Sequence, residues 1–140
     1  MKDFISSDQA PEPVGPYPHA RRVGNLLFLS GVGPRKKGSK DIPGVTLDAK
    51  GAILSYDIEA QCHAVFENVK YVVEASGSRW KNLVDVTVFL TDMKDFPVYN
   101  KIYKEYFPDP ATQPCRTTVA VIALPTQIAI ELKCIATVDD

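Results

Sequence analysis

The chain has 140 residues, 45% of them hydrophobic, with 16 basic and 17 acidic side chains and a formal net charge of -1. That is the size and balance of one soluble domain, residues 1–140, able to bury a core without disulfide staples or a structural metal. A near-neutral chain without a basic stripe is not a dedicated nucleic-acid binder. Runs such as Leu26 to Leu29 are strand-sized, far below the roughly 20 apolar residues of a membrane span.

The opening stretch, MKDFISSDQAPEPVG, meets acidic residues and prolines before any apolar run, which predicts neither a secretory nor a transit segment. Cys62, Cys115 and Cys134 are odd in number and lack a CxxC spacing, which suits free thiols and a cytoplasmic location. Residues 9–18 hold four prolines, so this lead-in is extended and is ordered only by docking. Gly24 and Asn25 then signal a turn into LLFL, predicting a hairpin that ends at Ser30. Residues 34–54, rich in Gly, Pro, Lys and Asp, read as a long surface excursion.

Between Tyr56 and Ser76, Ile58, Cys62, Val65, Val69, Val72 and Val73 recur in steps of three and four, an amphipathic helix with Gly77 at its C-cap. Val84 to Thr91 alternate, with Val84, Val86, Val88 and Leu90 on one face. A second helix is predicted from Pro97 to Tyr106, its aromatics read as packing. Two strands follow, from Arg116 and from Gln127, with a turn at Pro125. The expected fold class is α+β, a mixed sheet with two helices on one face.

Polar residues on the last two strands carry the chemistry. Glu131 and Lys133 oppose the apolar set Ile128, Ile130, Leu132 and Cys134, while Arg116, Thr118 and Ala120 share a face. Paired as a hairpin, these strands would put Arg116 and Glu131 on the sheet face that the helices leave open. That face, with Phe89, Ala120, Ala129 and Ile135, is too apolar for water, and a second copy is the simplest cover. In such a cleft an arginine fork holds a carboxylate and a glutamate positions water. Spacing alone leaves solvated strand charges as the simpler alternative.

The ordered segments GPYPHA (15–20), GNLLFLSG (24–31), VFLTDMKDFPVYNKIYKEYF (88–107), RTTVAVIALP (116–125) and IELKCIA (130–136) resemble the Rid family, also called YjgF-type proteins, across nearly the whole chain. The resemblance implies a chorismate-mutase-like fold, enamine/imine deaminase activity, no metal or organic cofactor, and a homotrimer with three clefts between subunits. It implies that Arg116 grips the substrate carboxylate and Glu131 orients or activates water. Tyr17, Ser30 and Gly31 would line the same cleft, with Thr118 on the strand of Arg116.

The chain departs from the common family pattern where Pro18 and His19 follow Tyr17, where Val32 follows Gly31, and in its longer excursion carrying Arg35, Lys36, Lys37 and Lys40. Four cations in six residues are a solvated loop or a second anion site led by Arg35. With PHARRVG (18–24) and GPR (33–35), they resemble the 2-aminomuconate deaminase branch of aromatic-compound degradation, whose substrate is an enamine dicarboxylate. His19, two residues after Tyr17, is a candidate for binding or proton transfer. His63 has no third ligand at zinc spacing, and no histidine is close in sequence to Cys115. The competing functions are generic 2-aminoacrylate-type deamination and a non-catalytic ligand-sensing or protein-binding trimer.

Overall fold

Alternation in the strands and three-and-four spacing in the helices sort the apolar side chains onto facing surfaces of two layers. The computed structural model describes residues 3–139. In chain order these form β1 (Phe4–Ile5), β2 (Ala20–Val23), β3 (Leu26–Leu29), β4 (Val45–Leu47), β5 (Ile53–Tyr56), α1 (Ile58–Ala75), β6 (Leu83–Leu90), α2 (Phe96–Tyr106), β7 (Cys115–Ala120) and β8 (Ile130–Thr137). The main sheet runs β1-β2-β3-β8-β6-β7, with β4 and β5 as a separate pair. It is mixed, since β6 and β7 pair in parallel and the other neighbours are antiparallel. The α+β architecture is as expected.

Both helices begin and end where their chemistry dictates. Asp57 caps α1 by accepting from the backbone N–H groups of Glu59 and Ala60, an interaction worth about 1 kcal/mol. At the other end Gly77, at φ 76, donates to Glu74 O while Ser78 N–H donates to Val73 O, the paired bonds of a Schellman stop. Val65, Phe66, Val69 and Val72 of α1 pack with Tyr99 and Ile102 of α2 against Val86, Val88, Leu90, Ile130 and Leu132 of the sheet.

Four sequence expectations change. The last two strands do not form a hairpin. After β6, α2 carries the chain back so that β7 enters in parallel at the sheet edge. The apolar alternation of β8 earns it a central place between β3 and β6, whereas Arg116, Thr117 and Thr118 suit β7 to an edge. Val84, which strict alternation assigns to the core, is exposed, because the β6–β8 register shifts between Leu83 and Asp85 and turns Leu83 inward instead. The 34–54 excursion is not featureless, since β4 lies within it and pairs with β5, which begins at its end. Finally, Ala120 aligns with Leu90 on the helix side, and Ala129 is fully buried, so neither belongs to the open face.

Candidate active site

The cleft around Glu131 is built by β8 and the segment that leaves β3. Ile130 and Leu132 point into the core, so Glu131 faces outward, beside Phe89 of β6, and is half-buried. Val32 pairs with Leu132 through two backbone hydrogen bonds of 2.8 Å each. That bridge lays Gly31 against the carboxylate: a Cβ at position 31 would stand 3.0 Å from Glu131 Oε2 and 3.2 Å from its Cδ. Glycine is therefore required for close approach rather than for backbone twist. Tyr17, Gly31, Arg35 and Glu131 line a common cleft of about 160 Å³. Burial pushes the Glu131 carboxyl above the usual carboxylate range, toward the pH at which a proton-transfer group works best.

Other expected residues stand nearby in supporting roles. Ser30 Oγ donates to Pro18 O at 2.6 Å, holding the turn that presents Tyr17. The Tyr17 hydroxyl accepts from Val14 N–H at 3.3 Å. Arg35 is half-buried and donates through Nη2 to Glu12 O at 2.7 Å. His19 is near this cleft, but its ring is committed to the backbone: Nδ1 accepts from Ser7 N–H and Nε2 donates to Pro11 O, each at 2.8 Å. This bonding assigns the proton to Nε2 and gives His19 the task of docking the proline-rich lead-in, in place of the ligand or proton-transfer role the sequence suggested.

Arg116 occupies different ground. In the parallel β6–β7 register it aligns with Val86, and Thr118 with Val88, residues of the helix-covered face. Its guanidinium carbon lies 4.6 Å from the ring centre of Tyr103, 5.4 Å from Tyr99 and 5.7 Å from Phe96. Nη1 donates to Asn100 Oδ1 at 2.8 Å. Three ring faces attract the cation and fix its plane, so its fork is held in advance of any ligand. Beside it opens a cavity of about 350 Å³ lined by Asn100, Tyr103, Lys104, Phe107, Gln113, Pro114 and Arg116. Thr118 Oγ1 and the Tyr99 hydroxyl share a 2.9 Å hydrogen bond on the same side.

The structure thus brings together Tyr17, Ser30, Gly31, Arg35 and Glu131, and separately Arg116 and Thr118. The expectation that Arg116 and Glu131 share the open face is corrected. Glu131 aligns with Phe89 and Arg116 with Val86 on β6, so they project from opposite faces. They are also offset by about 10 Å along the strand and about 10 Å across it. Sequence reasoning missed Asn100 and the second task of Tyr99 and Tyr103, which both pack in the core and support Arg116. The i, i+3, i+4 and i+7 spacing of Phe96, Tyr99, Asn100 and Tyr103 on one helix face was the available signal.

Cys62 and Cys134 are buried, and burial pushes each thiol up to about 12, a core setting rather than a nucleophilic one. Among the described residues no helix is long and apolar enough to cross a membrane, and no cluster of three or more His, Cys, Asp or Glu is arranged for a metal.

Comparison with known proteins finds relatives that span nearly the whole chain. The chloroplastic Reactive Intermediate Deaminase A of Arabidopsis thaliana is 38% identical over 136 residues, covering 97% of this chain and 66% of that protein. The 2-iminobutanoate/2-iminopropanoate deaminase of Dermatophagoides farinae is 37% identical, covering 99% of this chain and 98% of that one. Among solved structures, Escherichia coli TdcF with bound serine superposes with a TM-score of 0.84 at 32% identity, over 99% of this chain and 100% of that one. The family model described as Endoribonuclease L-PSP matches residues 7–138. By that match and these relatives, the chain belongs to the Endoribonuclease L-PSP family, the Rid or YjgF-type family that its ordered segments resemble.

Proposed function

We propose that the protein is a hydrolytic enamine/imine deaminase whose site is completed between copies of a homotrimer, and whose substrate is a dicarboxylate such as 2-aminomuconate. The observation that carries this is the division of the site: Glu131 and Arg35 share one cleft, while Arg116 is fixed on the opposite face of the same sheet. A small substrate can meet both only if a neighbouring copy supplies one of them. The open face supports such packing, with Phe28, Phe89, Val119 and Ile135 incompletely covered and Ile122 fully exposed beyond β7.

The chemistry follows from the groups present. Tautomerisation moves a proton from the enamine nitrogen to carbon and leaves an electrophilic imine. Water adds to the C=N carbon while Glu131 takes a proton from it. Glu131 returns that proton to nitrogen to give the carbinolamine; the hydroxyl proton then passes to nitrogen as the C–N bond breaks, releasing ammonia and a ketone. Arg116 holds the carboxylate next to the reacting carbon, with the Gly31 N–H as a further donor to it. Arg35 holds the distal carboxylate. Water is the co-reactant.

A second reading, turnover of 2-aminoacrylate-type imines with one carboxylate, is favoured by the names of the Arabidopsis and Dermatophagoides relatives and by the serine held in TdcF. Ammonia release from 2-aminomuconate and from 2-aminoacrylate generated in situ separates the two. The dicarboxylate reading expects the higher kcat/KM on 2-aminomuconate and a loss confined to that substrate in Arg35→Ala. No turnover of 2-aminomuconate would reject it.

A further inference from the structure

Two carboxamides interrupt the apolar stripe of α1, Gln61 and Asn68, seven residues apart and therefore on one side of the helix. Both are buried, Gln61 at 0% and Asn68 at 5% exposure. Buried amides persist where their hydrogen-bonding groups have partners, and here the partners lie on the segment after Val32 and on the run into β8. Asn68 Nδ2 donates to Gly33 O at 2.8 Å and to Arg35 O at 2.6 Å, clipping the carbonyls on either side of Pro34. Gln61 Nε2 donates to Pro43 O, and its Oε1 accepts from Ala129 N–H at 2.9 Å, two residues before Glu131.

The basic segment is thereby fastened at both ends to one helix. At its far end Asp57 N–H donates to Gly44 O at 2.7 Å. A Cβ at Gly44 would stand 2.8 Å from Asp57 O, so the contact with α1 is close. At its near end the Val32–Leu132 bridge fixes the chain beside Glu131, and three residues later Asn68 fixes the backbone of Arg35. The backbone of Arg35 is held between these two points, and from there its guanidinium reaches the cleft it shares with Glu131, donating to Glu12 O.

We propose that Asn68 is the positioning residue that gives the cleft its preference for a substrate bearing a second, distal carboxylate, an inference that rests on reading Arg35 as the distal anion site. A side-chain amide is the group that fits: it offers two donors to two carbonyls, where a carboxylate would set oxygen against oxygen and an alkyl group would leave both carbonyls unpaired.

The test is a double-mutant cycle of Asn68→Ala with Arg35→Ala, reading KM and kcat on 2-aminomuconate and on 2-aminoacrylate. Asn68→Ala is expected to raise KM for the dicarboxylate about tenfold, the scale of one charge-assisted hydrogen bond, with kcat and the 2-aminoacrylate rate nearly unchanged. In the Arg35→Ala background the same substitution adds nothing. Asn68→Asp, which keeps the shape but sets oxygen against both carbonyls, is expected to match or exceed the loss in Asn68→Ala, and decides the matter if the alanine variant does not fold. Equal losses on both substrates, or a loss that persists without Arg35, overturn the role of Asn68 while leaving that of Arg35 intact. If Arg35→Ala itself affects both substrates alike, the distal-anion reading falls and this inference falls with it.

Discussion

Glu131 on β8 and Arg116 on β7 align with Phe89 and Val86, three residues apart on β6, yet they are held in unlike ways. Glu131 sits at the centre of the sheet, against a glycine that leaves no room for another atom, and its burial favours the protonated form. Arg116 sits on the edge strand, spread over three aromatic rings and tied to Asn100, its charge supported by ring faces. On the proposed reading, one half of the site tunes a proton and the other fixes an orientation. Changes on the two halves should therefore fail in different kinetic parameters.

The largest expected effect is on the Glu131 half. Glu131→Gln keeps the shape of the cleft but removes the proton acceptor, and a fall of about 10²–10⁴ in kcat with little change in KM is expected. Unchanged kcat would assign Glu131 no chemical role. Arg116→Lys keeps the charge but loses the planar fork and its stacking on Tyr103. KM should rise about tenfold to a hundredfold with a smaller change in kcat. The mirror-image result, a kcat loss at constant KM, would break the comparison.

Gly31→Ala is a subtler probe. The added methyl must displace the Glu131 carboxylate, since 3.0 Å is inside ordinary contact. A rate loss of about tenfold is expected, because small displacements of a reacting group are costly. A fully active alanine variant would show that the carboxylate does not work from this position.

The smallest effect is on stability. Glu131 titrates above 4.5 in the folded protein, so the native state holds its proton more tightly than the unfolded chain does. Its contribution to stability is therefore greatest in acid and declines as pH rises through the window above 4.5. Glu131→Gln should flatten that decline and raise Tm slightly at neutral pH. In the active enzyme the same shift places the acid limb of the kcat/KM profile above the usual carboxylate range, and a limb at or below 4.5 would contradict it.

Local pattern carried much of the fold. The spacing of Cys62, Val65, Val69 and Val72 reports a buried helix face directly, and so does the alternation of β8. Partner choice has no such local signature: nothing within residues 116–137 says that β7 pairs with β6 rather than with β8, since that follows from how α2 returns the chain. The face of Arg116 depends on that pairing, so its sequence assignment went wrong with it. The single extra residue at Val84 is equally silent in a run of alternating valines. Residues 45–56 hide a strand pair because their side chains are mostly exposed and carry no apolar period. His19 looks like a reactive imidazole beside Tyr17, and only the folded lead-in reveals backbone partners on both of its nitrogens.

In the proposed trimer, one active site takes Glu131 from one copy and Arg116 from another. Mixing two inactive variants, Glu131→Gln and Arg116→Ala, under conditions where subunits exchange tests it most directly. In a randomly mixed cyclic trimer each site has one chance in two of receiving an intact Glu131 and one in two of receiving an intact Arg116. About a quarter of the wild-type deaminase rate should return. If the subunits demonstrably mix and no activity returns, both residues act within one chain and the shared site is refuted.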